Sequence, residues 1–194
     1  SGSINSQVRA NTTYGQSIVT YTGTGSAATV GHGLSSAPDM MIVKRRDGTG
    51  DWEVYHSGNT AAPETEHLRI NSTMATSDNA NYWNDTAPTN SVFTVNTDGY
   101  VNASSGTYVA YCFHDVSNYS KFGTYSGTGS ANNTITLGFR PAFLMVKRTN
   151  STEDWFMFDS TRNPLNTVNL RLKANTSDAD GAYSYVNFTD TGFS

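Results

Sequence analysis

The sequence predicts an all-β protein: two tandem antiparallel β-sandwiches of jelly-roll or concanavalin/lectin-like character. Three observations carry that prediction. A long stretch recurs once at a fixed offset. Apolar residues come in short runs bounded by turn residues. No stretch has the spacing of an amphipathic helix.

The recurring stretch is Pro38-Asp39-Met40-Met41-Ile42-Val43-Lys44-Arg45, followed by Asp51-Trp52-Glu53-Val54-Tyr55-His56-Ser57. Its partner is Pro141-Ala142-Phe143-Leu144-Met145-Val146-Lys147-Arg148, followed by Asp154-Trp155-Phe156-Met157-Phe158-Asp159-Ser160. Pro38 and Pro141 are 103 residues apart, and so are Trp52 and Trp155. A register held across a loop points to a duplicated unit, and a period this long to whole domains rather than a solenoid. The division is 1–16 as a linker or added strand, 17–118 as copy one, and 119–194 as copy two without its last strand. One larger concanavalin-like sandwich with internal pseudo-symmetry is the alternative architecture.

Along the chain, Ile18-Val19-Thr20-Tyr21 is β-branched and aromatic, and Thr22-Gly23-Thr24-Gly25 breaks it. Pro38 and Pro141 fit strand starts, where no ladder N–H is needed. Met40 to Val43 and Phe143 to Val146 are continuous apolar runs, as expected of strands covered on both faces. Asp47-Gly48-Thr49-Gly50 supplies turn chemistry, so the segments around it form a hairpin. Within Trp52-Glu53-Val54-Tyr55-His56, alternation puts Trp52, Val54 and His56 on one face and Glu53 and Tyr55 on the other. Further strands are expected at 67–70 and 91–95, with a turn at 96–99. The strand at 107–114 is apolar on both faces and belongs centrally in a sheet. Residues 161–172 contain Pro164 and poor helix formers, so at most one helical turn is expected there.

Nothing in copy two matches the strand at 107–114. The open edge this leaves is expected to be covered by strand addition, with the segment around Ile4 to Thr13 or a neighbouring chain lying along it. The competing expectation is a lobe that closes with fewer strands.

Composition excludes several functions. Charged residues are 14% of the chain and the net charge is −4, which gives no electrostatic case for nucleic acid or a membrane surface. No apolar run approaches about 18 residues, so membrane insertion is not expected. Cys112 is the one cysteine and reads as a small buried hydrophobe. The glycine-rich turns lack the third glycine and following helix of a phosphate cradle. His32, His56, His67 and His114 are not spaced as metal ligands, and no cofactor is expected. Asp47-Gly48-Thr49-Gly50-Asp51 has a faint likeness to a calcium loop but lacks the full ligand series.

Three tryptophans and eleven tyrosines are many for so polar a chain. Exposed aromatics beside Asn and Ser suit a sugar-binding face, because C–H faces stack on rings while hydroxyls are hydrogen-bonded. Tyr82, Trp83 and Asn84, with Trp52 and Trp155, are the candidate binding residues. The alternative for Trp52, Trp83 and Trp155 is a role as core plugs. A polysaccharide-degrading site would instead need two carboxylates flanking a cleft. Asp51, Glu53, Glu64, Asp154, Asp159 and Asp178 are the acidic candidates, and spacing pairs no two of them.

Several stretches carry a family resemblance: Ile18-Val19-Thr20-Tyr21-Thr22-Gly23-Thr24-Gly25, Val30-Gly31-His32-Gly33-Leu34, Gly106-Thr107-Tyr108-Val109-Ala110-Tyr111-Cys112-Phe113, and Gly138-Phe139-Arg140-Pro141-Ala142-Phe143. Together the chain from Val8 onward resembles a repeated β-rich domain of tailed-bacteriophage virion proteins, especially tail-fibre-like proteins of marine phages. The resemblance implies a non-enzymatic structural role at the virion surface, as a fibre, appendage or decoration protein that binds host surface glycans. Implied partners are other copies of the chain in a homo-oligomer or other virion proteins. It also implies that copy two runs on past Ser194. A polysaccharide-degrading appendage domain is the alternative, and the resemblance supplies no catalytic residues.

Overall fold

A computed structural model describes residues 2–130 and 133–194. In chain order the strands are β1 (Ser6–Asn11), β2 (Gln16–Thr22), β3 (Ala28–Gly31), β4 (Met40–Arg45), β5 (Trp52–His56), β6 (Glu66–Arg69), β7 (Ser77–Asp78) and β8 (Val92–Val95). A short helix α1 (Gly99–Asn102) and β9 (Thr107–Phe113) follow. The remainder is β10 (Ile135–Thr136), β11 (Phe143–Lys147), β12 (Trp155–Asp159), β13 (Val168–Lys173), β14 (Gly181–Val186), β15 (Phe188–Thr189) and β16 (Gly192–Phe193). The fold is all-β, with every sheet antiparallel and sandwich-type layering.

The first sheet has the order β1-β2-β9-β4-β5-β6-β7. Alternation along each strand divides its side chains between two layers. Val19, Tyr21, Met41, Val43, Tyr55, Tyr108, Ala110 and Cys112 point into a core closed by the β3–β8 ribbon, α1 and the Tyr82-Trp83 loop. Met40, Ile42, Val54 and Leu68 point the other way and pack against Trp155 and Met145 of β12 and β11. That is why β4 reads as an unbroken apolar run: both of its faces are covered. The strand at β9 is central, between β2 and β4, as its two apolar faces predict.

The second part repeats the plan on a smaller scale. β11-β12-β13-β14 form one sheet and β10-β16-β15 another. Phe158, Val168, Val186, Phe188 and Phe193 fill the space between them. The two parts join through Trp155, whose indole N–H donates to the Arg69 carbonyl at 2.8 Å. Main-chain bonds from Thr76 N–H to Thr149 and from Glu153 N–H to Thr73 extend that junction.

Two expectations are corrected. The N-terminal segment does not lie along copy two: β1 forms a hairpin with β2 at the edge of the first sheet, from Ser6↔Tyr21 to Asn11↔Gln16. The expected turn at 96–99 runs into α1, where the Asp98 side chain accepts from the Tyr100 N–H at 2.8 Å as an N-cap.

Candidate functional site

The tryptophans that sequence reasoning offered to a ligand are mostly occupied. Tyr82 and Trp83 are 2% and 1% exposed, so neither presents a ring face to solvent. The Trp83 indole N–H donates to the Glu66 carbonyl at 3.0 Å, and the Tyr82 hydroxyl accepts from Arg69 Nη2 at 2.9 Å. Trp155 is buried at the junction of the two parts. These three are plugs. Trp52 is half-buried and stacks on Tyr111 with centroids 6.4 Å apart. Asn84 is exposed, but it serves a turn with φ of 57°, a conformation Asn tolerates better than most residues.

Most of the candidate carboxylates are committed as well. Asp51 accepts from Asn71 Nδ2 at 2.9 Å and pairs with Arg69 at 3.1 Å. Asp47 binds its neighbour Arg45 at 2.8 Å, so the two acids of the calcium-like loop are engaged with other side chains. Among the described residues no group of three or more His, Cys, Asp or Glu is placed to hold a metal. Burial pushes the Cys112 thiol up to about 12, which keeps it protonated and unreactive near neutrality.

Copy one buries a polar network on its core face. Glu53 is fully buried, and His67 Nδ1 lies 2.7 Å from its Oε2. Arg69 Nε donates to the other oxygen at 3.0 Å, and the His67 ring stacks on Tyr82 at 3.9 Å. Register identifies the equivalents in copy two. Glu53 pairs with Arg69 across β5–β6, and Phe156 pairs with Lys173 across β12–β13. Phe156 therefore stands for Glu53, Lys173 for Arg69 and, two residues back, Arg171 for His67.

Those exchanges open a groove of about 600 Å³ in copy two. Tyr125, Val146, Phe156, Arg171 and Tyr183 line it, with Glu153, Asp154 and Lys173 among the polar residues. The Arg171 guanidinium lies 4.1 Å from the Phe156 ring centroid and 3.5 Å from that of Tyr183. Cation–π contact with two rings restrains the guanidinium. No carboxylate of the described residues lies within ion-pair distance of it, so its N–H edge is available to a ligand. Tyr125 is 45% exposed, which gives the groove a solvent-accessible aromatic ring.

Asp154 behaves differently. Hydrogen bonds from Asn175 (2.7 Å) and Lys173 (2.9 Å) hold its carboxyl below the usual carboxylate range. An acid held ionised cannot protonate a glycosidic oxygen near neutral pH, which removes it as the proton donor of a hydrolase.

Sequence reasoning missed Arg171, Phe156, Tyr183 and Tyr125. The signal was present in the differences between the copies: once the repeats are in register, a buried-type Glu53–His67 pair becomes Phe156–Arg171. In copy two Tyr183 lies over Arg171 much as Tyr82 lies over His67 in copy one.

A duplicated, sandwich-type all-β protein with one closed and one open core face is the class that fold and site define. The chain belongs to the family described as Domain of unknown function (DUF7483), which matches residues 1–194. No curated protein and no solved structure matches it. Among the described residues, no helix is long and apolar enough to cross a membrane.

Proposed function

We propose that this chain is a non-enzymatic structural component of a tailed-phage virion surface, and that its second copy binds host surface glycans in the groove around Arg171. The virion role rests on the family resemblance in the sequence. The binding role rests on one observation above the others: a guanidinium in cation–π contact with two rings that also lines an accessible groove. The Tyr125 ring suits the C–H face of a sugar, and Arg171 suits a carboxylate or other acidic substituent, which it pairs bidentately. The groove volume falls within the roughly 300–1,000 Å³ of small-ligand sites.

A glycan array and whole-cell binding with the purified protein test this reading. Wild-type protein is expected to favour carboxylate-bearing polysaccharides. Arg171→Met is expected to lose about 10- to 100-fold in affinity, the weight of a charge-assisted hydrogen bond. Trp52→Ala, in the other copy, is expected to bind as wild type. Equal binding by wild type and Arg171→Met, or no binding to any glycan or host cell, would remove the recognition half of the proposal.

A further inference from the structure

β4 and β11 hold equivalent places, yet only one has neighbours on both sides. β4 pairs with β5 on one edge and with β9 on the other, from Met40↔Phe113 to Arg45↔Tyr108. Among the described residues β11 pairs with β12 alone. The Ser160 N–H donates to the Ala142 carbonyl at 2.9 Å, so residues 142, 144 and 146 turn their main chain toward β12. The N–H and C=O groups of Phe143, Met145 and Lys147 consequently point to the open side, where no described residue bonds them. Side chains reflect the same vacancy. Met41 and Val43 are 1% and 0% exposed, whereas their equivalents Leu144 and Val146 are only half-buried and Phe143 is 55% exposed. An apolar edge with free ladder groups is a template for another strand.

We infer that the open edge of β11 is a docking site for one extended strand with the chemistry of β9. The internal duplicate specifies that segment. It runs antiparallel to β11 and places small residues, as Ala110 and Cys112 are placed in copy one, opposite Val146 and Leu144. Between them it carries β-branched or aromatic residues, as Val109, Tyr111 and Phe113 are. This site is separate from the Arg171 groove, and neither proposal depends on the other.

A synthetic peptide of residues 107–113, with Cys112→Ala and terminal lysines for solubility, tests the inference on the intact chain by amide hydrogen exchange. In copy one the Arg46 N–H donates to the Thr107 carbonyl at 2.7 Å, and the His114 N–H donates to Gly15 on the opposite side at 2.8 Å. Odd-numbered residues of β9 thus face β4. The unmodified peptide is expected to slow exchange at Phe143, Met145 and Lys147 by about tenfold or more. A peptide N-methylated at Val109 and Tyr111 is expected to give no protection, and one N-methylated at Tyr108 and Ala110 to protect fully. Absence of protection by the unmodified peptide would overturn the inference, as would equal protection by all three. So would concentration-dependent protection of the same amides without peptide, because the occupant would then be a second copy of the chain.

Discussion

The two copies put the same sheet plan to different ends, and the difference is concentrated on one face. In copy one the face beneath β5 and β6 is sealed: Glu53, His67 and Arg69 satisfy one another under the Tyr82-Trp83 plug. In copy two the matching face carries Phe156, Arg171 and Lys173 and opens on a groove. What both copies retain is local. The Trp52 N–H donates to Asn71 Oδ1 and the Trp155 N–H to Asn175 Oδ1, at 2.9 and 2.8 Å. In each case the same Asn donates to the preceding Asp, and the cation paired across β5–β6 or β12–β13, Arg69 or Lys173, seals the clip. The duplication kept what holds the hairpins in register and changed what fills the core.

The sharpest way to break the comparison is to truncate the two equivalent tryptophans. Trp155 is buried between the copies and bonded to Arg69, so Trp155→Ala is expected to destabilise the fold by about 3–5 kcal/mol. Trp52 occupies the same strand position but is half-exposed against Tyr111, so Trp52→Ala is expected to cost about 1 kcal/mol. Urea unfolding of both variants measures the difference. Equal losses would mean that the junction does not rest on Trp155.

His67 and Arg171 form the second pair. His67→Ala leaves a buried Glu53 oxygen without its donor, which is expected to cost about 2–3 kcal/mol. Arg171→Ala removes two ring contacts in an open groove and is expected to cost less than about 1 kcal/mol of stability. Thermal unfolding at pH 7 separates a network that holds the core from a residue kept for binding.

Acid is expected to act first on copy one. The Leu34 N–H donates to His32 Nδ1, and His32 Nε2 meets the Thr89 carbonyl, both at 3.1 Å. The Gly58 N–H donates to His56 Nδ1 at 3.1 Å. Burial lowers the pKa values of both imidazoles below the ordinary one of about 6.5, and each ring accepts a main-chain hydrogen bond in its neutral form. Below that pH the unfolded chain binds protons that the folded chain refuses. The stability from these residues is therefore complete above about 6.5 and is lost as the pH falls toward the folded-state values. Melting temperatures at pH 7.5 and 5 are expected to differ in that direction, and His32→Gln to narrow the gap. An unchanged melting temperature across this range would contradict it.

Much of the fold was legible in the sequence because its signals are local. Period-two alternation in Trp52 to His56 and the doubled apolar faces of 107–114 place strands correctly without tertiary knowledge. The site was less legible. Tyr82, Trp83 and Trp155 have the composition of a sugar-binding face, but nothing local tells whether a ring is beneath a loop or on top of one. Glu53 sits at an inward position of its strand, and only its meeting with His67 and Arg69 from the next strand explains a carboxylate there. Arg171 is unremarkable until its two aromatic neighbours, one from β12 and one from β14, are brought against it.

The account turns on copy two being the open, ligand-binding half. The most direct test is a titration of isotope-labelled protein with an oligosaccharide from the best-binding acidic polysaccharide, followed by backbone and Arg side-chain chemical shifts. The account predicts that changes cluster at Phe156, Arg171, Lys173 and Tyr183 and leave Trp52 and Tyr111 unmoved. Changes centred on Trp52 and Tyr111, with Arg171 silent, would contradict it.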